Sequence, residues 1–177
     1  MDVDFNADAY LIEANTLCKN GYDLLNHKSP ISLKKAINIL EEALDIFSQL
    51  DCTGRCSEIL NTLGAAYCAM AEYENSETNL IKSIEYLEEA IKLNNPSEFP
   101  LYHAMAQYNL GNTYRFLSEL NDKDNNIKKA LDSYKTAAKL TSKYYHSPSW
   151  EEQTFDTRLY EISQEAVKEL KELLRKK

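Results

Sequence analysis

Apolar residues along this chain return every three to four positions in seven stretches, and each stretch predicts a helix with one buried face. The first runs from about Asn6 to Leu25, with Tyr10, Leu11, Ala14, Leu17, Cys18, Gly21, Tyr22 and Leu25 on its apolar side. The second opens at Ser29-Pro30, a serine N-cap followed by a proline in the first turn, where the missing N–H costs nothing. It reaches about Leu50 through Leu33, Ala36, Ile37, Leu40, Ala43, Leu44 and Phe47, and Glu41, Glu42 and Asp45 fall on its solvent side. The third and fourth are expected over roughly Gly54 to Tyr73 and Glu77 to Leu93, the latter stopped by Asn94-Asn95-Pro96 because proline disfavours a helical residue before it. The fifth begins at Pro100 and ends near Leu120. The sixth begins near Asp124, read as its cap, and the short polar link at Asn121 to Lys123 makes the two antiparallel neighbours. The seventh opens at Ser147-Pro148-Ser149 and carries Phe155, Leu159, Ile162, Ala166, Leu170 and Leu173 as its stripe. No stretch alternates with the period of two that a half-buried strand requires. The pattern predicts an all-α fold.

Two motifs recur at one spacing. Leu63, Gly64 and Tyr67 return as Leu110, Gly111 and Tyr114, and 110 − 63 = 47. A small residue, a large one four later and an alanine three after that read Ala36, Leu40, Ala43, then Ser83, Leu87, Ala90, then Ala130, Tyr134, Ala137, with 83 − 36 = 47 and 130 − 83 = 47. Two independent patterns sharing a period predict a repeat array, and a period of this size predicts a solenoid. Glycine inside a helix costs about 1 kcal/mol against alanine, so Gly64 and Gly111 are expected in close contact with helices four and six.

The motif L-G-x-x-Y followed by A-x-x-x-[LY]-x-x-A resembles the tetratricopeptide repeat (TPR). It covers helices two to six well and helix one weakly, where Leu17-Cys18 stands in for Leu-Gly. The chain departs from that family in its longer links and in a period of 47 where about 34 is usual. The longer segments N-L-I-K-S-I-E-Y-L-E-E-A-I-K-L and F-P-x-x-x-A-x-x-Q-x-N-L-G-N-x-Y look like those of tandem arrays in large prokaryotic signalling proteins. The resemblance implies a single domain over residues 1–177. It would be a right-handed TPR-like α-solenoid of three helix pairs, at about 6–50, 54–94 and 100–143, plus a C-terminal capping helix at about 148–176. An amphipathic last helix suits the polar-faced terminal element such arrays need.

In that family the first helix of each pair lines a concave binding face. Mapped by the Leu-Gly pair, the resemblance implies Asn15, Lys19 and Tyr22 from the first pair as peptide-binding residues. It adds Asn61, Ala65 and Cys68, beside Glu58, from the second, and Tyr108, Asn112 and Arg115, beside Met105, from the third. Asparagine both donates to and accepts from a peptide backbone, and tyrosine adds apolar area at low entropic cost. The other reading of Asn61 and Asn112 is that each hydrogen-bonds a neighbouring helix. Only Lys19 and Arg115 are cations here, too few for the carboxylate clamp of chaperone-tail readers.

Charge and composition narrow the partners. A formal net charge of −8 repels a nucleic-acid backbone and acidic lipid surfaces, so neither nucleic acid nor membrane is expected as a partner. The acidic start M-D-V-D-F-N-A-D is unlike a signal peptide, which predicts a soluble, cytoplasmic protein. Cys18, Cys52, Cys56 and Cys68 sit within helical patterns and are read as reduced thiols. Their distance from His27, His103 and His146 argues against a zinc site. No nucleophile–base arrangement and no Gly-rich phosphate loop is present, so no cofactor and no enzymatic activity is expected. The sequence thus predicts a protein–protein interaction adaptor that takes a peptide or helix of a partner protein. The alternative is self-assembly, a possible homodimer formed through the seventh helix, whose stripe is expected to leave Val167 and Leu174 exposed.

Overall fold

Serine and asparagine side chains set three of the helix starts. The computed structural model describes residues 7–27, 29–145 and 155–175, and among these it contains seven α-helices and no strand. They are α1 (Ala7–Leu25), α2 (Pro30–Gln49), α3 (Thr53–Met70), α4 (Ser76–Leu93), α5 (Pro100–Leu120), α6 (Lys123–Tyr145) and α7 (Phe155–Arg175). The opening expected for α7 at Ser147-Pro148-Ser149 lies outside the described residues. Ser29 caps α2 as expected, its Oγ accepting from the Ser32 N–H at 3.1 Å, with Pro30 in the first turn. None of these helices is long and apolar enough to cross a membrane.

Two turns use one device. Asn75 and Asp122 precede α4 and α6 with φ of 48° and 37°, a left-handed conformation that Asn and Asp tolerate better than most residues. The buried Asn79 then donates from Nδ2 to the Glu74 carbonyl at 2.6 Å, and the buried Asn126 donates to the Asn121 carbonyl at 2.9 Å. Each pair of positions is separated by 47 residues, since 126 − 79 = 47 and 121 − 74 = 47. Asp122 therefore holds the place expected for Asp124, which falls within the first turn of α6.

The helices pack mainly on their neighbours in sequence, with α3 also meeting α5 and α5 also meeting α7. One buried cluster joins α1, α2 and α3 around Phe47, Ile59 and Leu63. A second runs from Cys68 on α3 through Leu87, Leu110 and Tyr134 to Val167 and Leu170 on α7. Glycines bring the pairs together. A Cβ on Gly64 would fall 2.7 Å from Leu87 Cδ2, and one on Gly111 would fall 2.7 Å from Tyr134 Cε1. The expected contacts of Gly64 with α4 and Gly111 with α6 are both present. In the first pair the equivalent seat belongs to Gly21, where a Cβ would fall 2.7 Å from Leu40 Cγ. The Leu17-Cys18 register is thereby corrected. Gly21 lies 64 − 21 = 43 residues before Gly64, so a fixed spacing of 47 passes over it.

A polar set also recurs. Tyr67 on α3 donates to Glu41 Oε1 on α2 at 2.8 Å, and Lys82 Nζ on α4 lies 4.9 Å from the Tyr67 ring centroid. Tyr114 donates to Glu88 Oε1 at 3.4 Å, and Lys129 Nζ lies 5.0 Å from its ring. All three members are 47 residues apart. Glu41 was assigned to solvent by its helix face, yet it and Glu88 each accept from the next helix in the chain.

α7 lies along α6 and reaches α5, with Leu159, Ala166, Val167 and Leu170 buried. The self-assembly stripe differs from expectation. Val167 is buried and Leu174 is packed against the core, whereas Ile162 and Leu173 remain exposed. A residue's place on a helical wheel fixes its direction, but the width of the covered face depends on how the partner helices tilt.

Candidate functional site

The nine residues expected to line one binding face divide into four environments. Ala65 and Cys68 on α3 and Asn112 on α5 come together in a recess of about 300 Å³, completed by Ala69, Glu72, Asn109 and Phe116. A second recess, of about 380 Å³, shares Ala65, Ala69 and Glu72 with the first and extends over Leu25, Leu33 and Tyr73. The shared wall is made of Ala65 and Ala69, one helical turn apart, with Glu72 beyond them. The Cys68 thiol is buried, and that burial pushes its pKa up, with the nearby Glu72 carboxylate adding to the shift.

Asn15 and Tyr22 tie α1 to α3. Tyr22 donates to Glu58 Oε1 at 3.1 Å, Arg55 Nη1 lies 2.6 Å from Glu58 Oε2, and Arg55 Nη2 donates to Asn15 Oδ1 at 3.2 Å. Burial, then the Glu58 charge, holds the Tyr22 phenol protonated well above its ordinary range. Lys19 is exposed on the same helix and does not line either recess.

Asn61 and Tyr108 are engaged between helices. Asn109 Nδ2 donates to Asn61 Oδ1 at 3.0 Å, joining α5 to α3. Tyr108 packs its ring on Tyr134 with centroids 5.6 Å apart, and it sits against Ala104, Ala137 and Leu159. It is half-buried in the core rather than standing in an open channel, because Leu159 of α7 covers that part of α5. Arg115 is turned toward α7, its Nη1 3.6 Å from Glu169 Oε2.

Asn112 is shared between two roles. Its Oδ1 accepts from the fully buried Tyr134 hydroxyl at 2.7 Å, while the residue also lines the recess. The two readings of Asn61 and Asn112 as groove residues or inter-helix links therefore separate by position. Asn61 is a link, and Asn112 is a link at the edge of the recess.

Ala69, Glu72, Asn109 and Phe116 complete the recess without having been singled out by sequence. The signal was available in part, since Ala69 and Glu72 continue the face of Ala65 and Cys68 by one turn of α3. Among the described residues no group of three or more His, Cys, Asp or Glu is placed to hold a metal ion. All four cysteines are free thiols. Comparison with protein-family models, with curated proteins and with solved structures finds no match.

Proposed function

We propose that this chain is a non-catalytic adaptor, built as a TPR-like α-solenoid, that takes a peptide or helix of a partner protein along the face of α1, α3 and α5. The observation that carries this reading is the pair of abutting recesses that share Ala65, Ala69 and Glu72. Small residues at the centre let a partner backbone approach α3 closely. Apolar side chains on one side (Leu25, Leu33) and amides on the other (Asn109, Asn112) supply burial and backbone hydrogen bonds. The recurrence of glycine seats and turn asparagines at 47 residues supports the repeat architecture.

Ala65 is the position to test, because it belongs to both recesses. Peptide display against the wild-type chain, repeated with Ala65→Arg, measures the proposal directly. Peptides enriched on wild type should lose about 1–3 kcal/mol of affinity for the variant, as when a central contact is blocked. The variant should keep its helical circular dichroism. Selected peptides that bind both proteins equally would overturn the reading.

A further inference from the structure

The two recesses that meet at Ala65 and Ala69 carry charge of one sign. Glu72 lines both of them, and no other charged residue lines either. Its carboxylate is exposed and makes no ion pair among the described residues.

Neighbouring carboxylates are compensated. Glu58 is held by Arg55 at 2.6 Å, and Glu74 by Lys34 at 3.1 Å. Glu119 is the repeat counterpart of Glu72, since 119 − 72 = 47. It lies in a different recess, where Arg115 and Lys123 stand beside Glu119 and Glu169 and the charges balance. Glu72 has no such balance. It also follows the end of α3, which closes at Met70 with no base in its last turn. An acid beside the negative end of a helix dipole costs stability, and a cation brought by a partner would recover it.

The smaller recess, of about 300 Å³, specifies which cation. Asn109 donates from Nδ2 to Asn61, which leaves its Oδ1 to accept. Phe116 is half-buried in the same wall, and an aromatic face attracts a guanidinium. A planar group with five donors suits a carboxylate, an amide oxygen and a ring together better than a compact ammonium does. The larger recess, of about 380 Å³, is lined mainly by apolar side chains, Leu25 and Leu33 among them.

We infer that the partner segment is basic and amphipathic, setting an arginine against Glu72 in the smaller recess and a large apolar side chain against Leu25 and Leu33 in the larger. This rests on the adaptor reading above and specifies its ligand. The formal net charge of −8 draws such a segment in and makes copies of this chain repel one another, which disfavours a second copy as occupant.

The test begins with a random linear-peptide library displayed against the full chain. Peptides enriched on wild type and lost by Ala65→Arg should share one arginine at a fixed distance from a large apolar residue. One such peptide is then synthesised with arginine, lysine or citrulline, the uncharged isostere, at that position. Citrulline should weaken binding about ten-fold, for want of charge-assisted hydrogen bonds, and lysine about three-fold. Glu72→Gln should weaken the arginine peptide about ten-fold and leave the citrulline peptide nearly unchanged, as coupled partners require. The variant should melt with wild type, because Glu72 is exposed and makes no ion pair.

Peptides lost by Ala65→Arg that share no arginine, that bind Glu72→Gln undiminished, or that bind equally in all three forms would overturn the inference and leave the adaptor reading standing. A library that yields no peptide sensitive to Ala65→Arg would overturn both. A free chain that sediments as a dimer, and as a monomer with Ala65→Arg, would give the recesses to a second copy and overturn the basic partner.

Discussion

Gly64 on α3 and Gly111 on α5 stand 47 residues apart, and each receives the large side chain of the following helix, Leu87 in one pair and Tyr134 in the other. The two junctions divide their labour differently. In the α3–α4 pair the large residue is purely apolar, and the polar tie comes from Ser83, whose Oγ donates to the Gly64 carbonyl at 2.7 Å and lies 2.8 Å from Thr113 Oγ1. In the α5–α6 pair the position of Ser83 is Ala130, which has no hydroxyl, and the tie passes to Tyr134 and Asn112. A close helix approach can therefore carry its hydrogen bond on the small residue or on the large one. The choice matters for the recess, because the second solution places an amide at its edge.

The largest expected effect comes from refilling the glycine seats. Gly64→Leu and Gly111→Leu should each cost more than about 3 kcal/mol, the upper end of overpacking penalties, because both side chains already in the seats are fully or nearly fully buried. Alanine should cost about 1–2 kcal/mol net, overpacking being offset by about 1 kcal/mol of helix propensity. Gly64→Ala should be the worse of the two. Its nearest obstacle includes Leu87 Cγ, one bond from Cβ and unable to swing, whereas at Gly111 the obstacle is the far edge of a ring. Urea midpoints in the opposite order would break the comparison.

Next come the ties themselves. Ser83→Ala should lose about 1–2 kcal/mol, leaving the buried Gly64 carbonyl without this donor, and Tyr134→Phe about 1 kcal/mol, because its acceptor on Asn112 is only half-buried. Only Tyr134→Phe should also alter the recess, read as a changed chemical shift of the Asn112 side-chain amide. Equal shifts in both variants would show that the tie is not local to its pair.

The recurring tyrosine–glutamate sets should separate by a smaller margin. Glu41 accepts from Tyr67 and from Tyr86, both at 2.8 Å, and those rings stack with centroids 5.5 Å apart. Glu88 accepts one long bond from Tyr114, and the position of Tyr86 is held by Ser133. Glu41→Ala should cost about 1–2 kcal/mol and Glu88→Ala less than about 0.5, measured by thermal melts.

The smallest effect is in alkaline solution. Burial, followed by the bond to Glu41, raises the pKa of Tyr67 and Tyr86 above the ordinary value of 10.0, and Tyr114 is raised by burial and then by Glu88. The folded state holds these protons more tightly than the unfolded chain. Their contribution is complete below pH 10 and is lost as pH rises through and beyond it. Glu41→Gln removes the nearby charge and should flatten that loss more than Glu88→Gln does. Identical alkaline slopes for the two variants would place the effect in burial alone.

Helix positions were legible in the sequence wherever local chemistry sets them. Pro100–Leu120 matches its expected span, and Ser29 caps α2 because both partners lie within three residues. The seats of Gly64 and Gly111 were legible because a glycine inside a helix is costly without close packing, and the spacing of 47 relates the two glycines as it relates Leu87 and Tyr134. Gly21 was not, since its interval of 43 breaks the period. The bonds to Glu41 and Glu88 were hidden for another reason: each tyrosine partner lies 26 residues further along on another helix, beyond any periodicity within one segment. Of the residues around the recess, Ala65, Cys68 and Asn112 were singled out from the sequence, and they come together there. Tyr108 and Arg115 fall outside it, because α7 engages that part of α5, and no spacing within α5 contains that information.

The order of packing also bears on how the chain comes off the ribosome. Because each helix meets chiefly the one before it, α2 can settle on α1, and α3 on both, while α5 is still being made. Few contacts wait for a distant segment, so loop-closure entropy is met in small instalments and assembly should be rapid for a chain of this length. The same ordering means that tension applied to the two ends has no single clasp to break. Such a chain should lengthen in helix-pair steps instead of giving way all at once.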